Sequence, residues 1–279
     1  MNVLYRIPYP NFFSQHNGVG GHVAHSIGIV EGLLESGFKV TVLAHEGKNE
    51  FESLGAKFIE CASGKKTSIV ERQLWLLKFF RKSRVLCRNK KFDMIYTRYS
   101  ISALPYLIVD QKFSKVTNLL EINSFGSQRL FIFKYLDYLA LRTSTRNILI
   151  SDMLKQHVEK YLRYNHSNVI VVENGVSLRR FRPFRSLKTC SPFTLTFAGL
   201  IKQHYGLEDA IECAKMLESN NVDIQLNIYG DGPHLRKMLE ISANLKNIIF
   251  HGELPYESVP DVLSKSNALL YITSKENSF

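Results

Sequence analysis

Short runs of apolar and β-branched positions alternate with longer segments whose apolar residues recur every three or four positions, almost from end to end of the chain. The first pattern suits a strand and the second a helix facing a core, so their alternation predicts βαβ units around a largely parallel sheet. In the first half the pattern predicts strands over 2–7, 39–44, 56–60, 93–98, 115–121, 147–150 and 168–172. Helices are predicted over 22–36, 68–88, 100–111, 126–142 and 151–161. The run from Lys39 to Ala44 is nearly all apolar, as a strand covered on both faces requires. Ser151 and Asp152 can cap a helix start, and Gly37 follows the last periodic residue of the first helix.

Around Arg179 to Pro192 the periodicity stops in a basic, proline-punctuated stretch that reads as an inter-domain linker. It divides the chain into domains of 1–184 and 185–279. Beyond it the alternation resumes, with strands expected over 193–198, 223–229, 248–251 and 268–273 and helices over 207–219, 234–245 and 258–265. The chain ends at Phe279, a few residues past an apolar strand, so the second domain is expected to be incomplete. In an open parallel sheet the ligand crevice lies outside the carboxyl ends of the strands, which is where this end falls.

Length and composition agree with this reading: 279 residues, 45% hydrophobic, suffice for two ordinary cores. The four cysteines, Cys61, Cys87, Cys190 and Cys213, are scattered without a C-x-x-C pair, which indicates neither a zinc site nor a disulfide framework. No leader-like or bilayer-spanning run is visible, so a cytoplasmic location is expected. A formal net charge of +11 concentrates anions such as phosphates or acidic lipid head groups. No nucleic-acid-binding module is readable, and nucleic acid is not expected as a partner.

Three constellations carry candidate chemistry. Asn17 to His25 holds a glycine cluster leading into the first long helix, where exposed N–H groups and the helix dipole attract an anion. A merely flexible loop explains these glycines as well, and the spacing is not the dinucleotide fingerprint. Glu173-Asn174-Gly175-Val176 marks a tight turn after a strand. Tyr229-Gly230-Asp231-Gly232-Pro233 is either a βα turn or a place where a ligand approaches the backbone.

Read together, Gly20, Gly21 and His25, the Glu-Asn-Gly-Val turn, Tyr-Gly-Asp-Gly-Pro, Phe250-His251-Gly252 and Ser274-Lys275-Glu276 resemble the retaining glycosyltransferases of the GT-B fold, family four. The order of these motifs matches over essentially the whole chain. The resemblance implies two Rossmann-like domains, acceptor bound by the first and a UDP- or GDP-sugar by the second, with no cofactor and no metal. It places Gly20 and Gly21 near the donor diphosphate or sugar, His251, Gly252 and Glu253 near the base, and Gly230 and Gly232 in the donor site. Glu276 would begin the Glu-x7-Glu motif that contacts sugar hydroxyls, and His25 joins it as a catalytic candidate.

The chain departs from that family at three points. Phe197-Ala198-Gly199-Leu200 and Tyr205-Gly206 lack the two expected diphosphate-binding cations, for which Lys202 or His204 is the available substitute. Glu121 and Asn123 stand after the fifth strand where relatives often carry a histidine; Glu121 can orient a sugar hydroxyl or cap the next helix. The second glutamate of the Glu-x7-Glu motif falls past Phe279.

A greasy segment, Leu74 to Leu77, joins a basic one, Lys78 to Lys91, within one helix. That arrangement fits an acidic membrane surface and a peripheral enzyme with a glycan or lipid-linked acceptor, or equally a core helix with a solvated basic end. Two functional readings stand: a sugar transferase of envelope polysaccharide type, and a degenerate relative that binds without turnover.

Overall fold

The computed structural model describes residues 1–13, 21–62, 68–112, 114–182, 192–203 and 205–272. They divide into two compact units, one built from Met1–Gln15 and His25–Gly175, the other from His16–Ala24 and Val176–Phe279.

In the first unit, strands β1 (Asn2–Arg6), β2 (Lys39–Ala44), β3 (Lys57–Glu60), β4 (Met94–Arg98), β5 (Thr117–Ile122), β6 (Arg146–Leu149) and β7 (Val169–Val171) form one sheet in the order β3-β2-β1-β4-β5-β6-β7. Every pairing is parallel. The order reverses between β1 and β4, which makes that junction the topological switch point of a doubly wound sheet. All residues of β1 and β2 after the first are buried, which explains their unbroken apolar sequence.

The helices of this unit are α1 (Gly21–Glu35), which belongs to it from His25 onward, α2 (Lys48–Ser53), α3 (Ile69–Asn89), α4 (Leu104–Lys112), α5 (Lys134–Thr143) and α6 (Asp152–Gln156). The start of α3 is fixed by a capping box between Ser68 and Glu71, which satisfies two otherwise orphan donors. Its buried stripe of Trp75, Leu76, Phe79 and Phe80 packs into the main core, and the Trp75 indole donates to the Cys61 carbonyl at 2.9 Å. Burying side chains of this size contributes roughly 1.5–3 kcal/mol each. Arg6, the fully buried last residue of β1, meets Asp110 of α4 at 2.5 Å and Ser83 of α3 at 3.1 Å, and Arg84 of α3 reaches the other Asp110 oxygen at 3.1 Å. One carboxylate thus bridges both guanidinium groups and offsets the charge of the buried Arg6, while Arg84 keeps contact with solvent.

Three predicted helices are interrupted. The 126–142 segment opens as two 3₁₀ turns, Gly126–Gln128 and Phe131–Phe133, before α5, because Leu130 between them is extended (φ −140°, ψ 124°). The 100–111 segment begins with a 3₁₀ turn, Ile101–Ala103, and the 151–161 segment passes from α6 into one π-helical turn, His157–Tyr161. Helix α2 was not predicted from the sequence; at six residues with one buried position, Phe51, it is too short for periodicity to reveal.

In the second unit, β8 (Phe193–Ala198), β9 (Ile224–Tyr229), β10 (Ile248–Gly252) and β11 (Ala268–Leu269) form a parallel sheet in the order β10-β9-β8-β11. Helices α7 (Leu207–Ser219), α8 (Leu235–Ser242) and α9 (Val259–Ser264) accompany it. Leu207, Ala210, Ile211 and Ala214 of α7 pack with Leu226, Ile228 and Met238 in its core. Numbered within its own unit this order is 3-2-1-4, the same opening as the first sheet, so both units are Rossmann-like α/β domains. The strand expected over 268–273 is a two-residue edge strand among the described residues; pairing ends after Leu269↔Thr196.

Candidate functional site

At the carboxyl ends of β1, β4 and β5 the first unit gathers a buried polar network. His25, in the second turn of α1, places its Nε2 2.9 Å from Glu121 Oε1, and the Tyr96 hydroxyl donates to Glu121 Oε2 at 3.0 Å. Arg98, the last residue of β4, donates to Ser26 Oγ at 2.9 Å and stands 3.7 Å from Glu121. With its amide nitrogen toward Glu121 (3.2 Å), Asn123 turns its oxygen to Arg98 Nη2 at 2.5 Å. The Arg98 guanidinium lies over the Phe12 ring, 5.5 Å from its centre.

Burial pulls the Glu121 carboxyl upward, but the hydrogen bond from His25, the Arg98 charge and the Tyr96 hydroxyl outweigh it, and the group titrates below the usual carboxylate range. An ionised carboxylate only accepts, so the proton of the contact sits on His25 Nε2. Burial, reinforced by the Glu121 charge, drives the Tyr5 and Tyr96 phenols far up, and both stay neutral. Glu121 is 1% exposed and His25 13%, so the imidazole is the more accessible member of the pair and Glu121 fixes the orientation of that ring.

The loop after β5 is tied down beside this network. The Tyr99 hydroxyl donates to Asp137 at 2.5 Å and accepts from Gly126 N–H at 2.8 Å, while Ser127 N–H donates to the other Asp137 oxygen at 2.8 Å. The Tyr9 hydroxyl donates to the Tyr99 carbonyl at 2.6 Å. Asp137 is fully buried, and three hydrogen bonds among Tyr99, Gly126, Ser127 and Asp137 hold this turn.

In the second unit the loops after β8 and β9 run main chain against main chain. Gly199 N–H donates to the Tyr229 carbonyl at 3.0 Å, Ile201 N–H to the Asp231 carbonyl at 2.9 Å, and His234 N–H to the Ile201 carbonyl at 3.2 Å. Gly230 (φ 141°) and Gly232 (φ 159°) make this approach possible, since a Cβ would lie 1.9 Å from the Gly199 oxygen or 2.2 Å from the Ile201 oxygen. The paired glycines are therefore required by backbone crossing. His251, displaced by a register shift between Phe250 and Gly252, stacks on Tyr229 (4.4 Å, 9°) and places Nε2 2.8 Å from Asn227 Oδ1. Lys202 is exposed, its Nζ 5.7 Å from the centre of the Tyr205 ring, and Glu253 is exposed just past β10.

The structure thus joins His25 to Glu121 and sets Gly230, Gly232, His251, Gly252 and Glu253 at the carboxyl ends of β9 and β10. Gly21 opens α1 with space around it. Gly20, His204 and Glu276 lie outside the described residues. Sequence reasoning missed Arg98, Ser26 and Tyr96; the available signal was a cation closing the otherwise uncharged strand Met94-Ile95-Tyr96-Thr97-Arg98. Among the described residues, no group of three or more His, Cys, Asp or Glu could hold a metal ion, and no helix is long and apolar enough to cross a membrane.

The family model "Glycosyltransferase Family 4" matches residues 19–180, and "Glycosyl transferases group 1" matches 179–278. No curated protein matches the chain in sequence. Among solved structures, a glycosyltransferase from Rickettsia africae ESF-5 is similar at 16% identity, with 98% of this chain and 73% of that one covered and a TM-score of 0.71. Sucrose-phosphate synthase from Thermosynechococcus elongatus is similar at 14% identity (96% and 75% covered, TM-score 0.73), and the lipopolysaccharide outer core galactosyltransferase WaaB at 17% (98% and 74%, TM-score 0.60). At such identities the structural likeness speaks to the fold, which is GT-B. With the family model spanning more than half of its length, this chain belongs to glycosyltransferase family 4 and is a sugar-transferring enzyme.

Proposed function

We infer that the enzyme moves a hexose or N-acetylhexosamine from a UDP- or GDP-sugar to an envelope polysaccharide or lipid-linked acceptor, with retention at the anomeric carbon. The observation that carries this reading is the ionised Glu121 held against His25 and Arg98 at the carboxyl ends of the first sheet, a place suited to hydrogen-bonding sugar hydroxyls. The first unit would take the acceptor and the second the donor, with Gly230, Gly232, His251, Gly252, Glu253 and Lys202 as the donor-side residues. In the transfer the bond from C1 to the leaving phosphate oxygen breaks and a bond to the acceptor oxygen forms on the same face. The acceptor proton passes to the departing phosphate, so no protein base is consumed, and main-chain N–H groups and cations stabilise the growing negative charge. Gly20, Gly21 and Glu276 keep their proposed roles at the diphosphate and the sugar. No cofactor enters this scheme, since both charges that develop are met by protein groups and by the leaving diphosphate.

On α3, Leu74 (57% exposed) and Leu77 (44%) sit beside exposed Lys78, Arg81 and Lys82, which supports peripheral attachment to an acidic cytoplasmic membrane face. The test of transfer is nucleotide release from a panel of UDP- and GDP-sugars, with and without membrane extract, followed by assignment of the anomeric configuration of the product. Release that depends on extract and yields a retained anomer supports the reading; an inverted anomer or a folded protein without release overturns it. Leu200 and Tyr205, standing where cations are expected, favour a second reading of binding without turnover, and nucleotide affinity without release would select it.

A further inference from the structure

The loop that follows β5 carries an apolar cluster that the transfer chemistry leaves unused. Leu130 (57%), Phe131 (74%), Ile132 (67%) and Tyr135 (68%) are consecutive or nearly so and are mostly solvent-exposed. Beside them Phe131, Ile132, Lys134, Tyr135, Tyr138 and Leu162 line a shallow groove of about 550 Å³. Scattered apolar side chains on a surface need no explanation, but four large ones within six positions do.

The charges around it are one-sided. Between Phe125 and Tyr164 the chain has seven lysines and arginines and three carboxylates. Of those three, Asp137 is buried beneath Tyr99 and Ser127, and Glu159 stands 4.0 Å from Lys155. Arg129, Lys160 and Arg163 are exposed at positions flanking the apolar residues, and Lys134 holds its ammonium 4.4 Å from the centre of the Tyr161 ring. Apolar and tyrosyl side chains ringed by cations match the boundary between acyl chains and anionic head groups, whereas a second copy of so basic a surface would repel its twin.

The platform beneath is a stack of rings. Phe125, His157 and Tyr161 stack in a column at 5.3 and 4.8 Å, and the π-helical turn His157–Tyr161 is what spaces the last two rings. Ser127 Oγ, 3.0 Å from His157 Nε2, joins that column to the turn held by Asp137. Such a base lets the exposed tip enter a lipid surface without first paying to order itself.

The geometry points to the Leu130–Tyr135 tip as a second, apolar membrane-docking surface, specific for an anionic bilayer and placed on the same loop that leaves Glu121 and Asn123. It deepens the proposal of a membrane-borne acceptor and rests on it for its purpose, since it would hold the mouth of the first sheet at the lipid face where such an acceptor resides.

The experiment is co-sedimentation of the chain with vesicles of phosphatidylcholine alone or mixed with phosphatidylglycerol, without any sugar donor, so that failure of transfer and failure of docking are read separately. Phe131→Ser with Ile132→Ser should weaken binding to the mixed vesicles roughly tenfold or more and remove the part that survives high salt. Met216→Ser, an equally exposed apolar change on α7 (60%), should leave binding as it was. Thermal unfolding of each variant confirms that the fold is kept. Equal vesicle binding by the double variant overturns the proposal, as does absence of binding by the parent chain. A parent dimer that the double variant loses in sedimentation velocity assigns the tip to self-association and overturns it too.

Discussion

His25 Nε2 and Glu121 Oε1, 96 residues apart in sequence, stand 2.9 Å from each other, with Glu121 almost wholly removed from solvent. Replacing Glu121 by alanine leaves Arg98 buried without its nearest carboxylate. Loss of about 3–5 kcal/mol of stability is expected in urea unfolding. Glu121→Gln, which keeps the shape and loses the charge, should cost less in stability while lowering turnover.

His25→Gln should leave stability nearly unchanged, because the imidazole retains solvent contact and the amide can still donate to Glu121. A drop in kcat on the order of 10²-fold with KM little altered is the expected result of steady-state kinetics. A variant with parental kcat would remove the imidazole from the reaction.

Acid should lower the stability of the protein in two steps. Burial lowers the His157 pKa, so the neutral ring's contribution is complete above about pH 6.5 and is lost as pH falls through the folded-state value. Glu121, whose pKa lies below the usual range, contributes fully above about pH 4.5 and loses that contribution as pH falls through its folded-state value. Urea midpoints measured across this span should therefore fall twice, and His157→Phe, which keeps the stack, should abolish the upper step.

Gly230→Ala forces a Cβ to 1.9 Å from a main-chain oxygen that has nowhere to go. The cost should be about 2 kcal/mol or more and should fall on the second unit. Hydrogen exchange should report it as faster exchange of β8 and β9 amides with those of β1 to β6 unchanged.

Leu200→Arg returns a cation to the loop after β8, where the family resemblance expects one. UDP affinity by calorimetry should rise roughly tenfold, the effect of one charge-assisted phosphate contact. No change would mean that the diphosphate is held elsewhere.

The first sheet was legible because its central strands β1 and β2 are buried on both faces, and a run such as Val40 to Ala44 has few other meanings. Helix α7 was legible to the residue, since its apolar stripe of Leu207, Ala210, Ile211 and Ala214 keeps one period throughout. The break at Leu130 was not, because the contacts that shape it, Gly126 to Tyr99 and Ser127 to Asp137, join residues that periodicity never compares. At the site, the motifs pointed separately to His25 and Glu121. Their pairing and the part of Arg98 depend on β4 and β5 lying side by side, which only the sheet order supplies. The glycines at 230 and 232 stood out in sequence, yet the partner that demands them, the 199–201 loop, is a neighbour only in space.

A surface made where two loops meet through their peptide groups is largely indifferent to codon changes on either side. The pair of positions without side chains is locked by the crossing, and Asp231 between them turns its Oδ1 to the Gly232 N–H at 2.6 Å. Side chains at the rim, His251 and Glu253 among them, can thus be exchanged without rebuilding the support beneath. Changes of surface chemistry there are decoupled from changes of backbone shape.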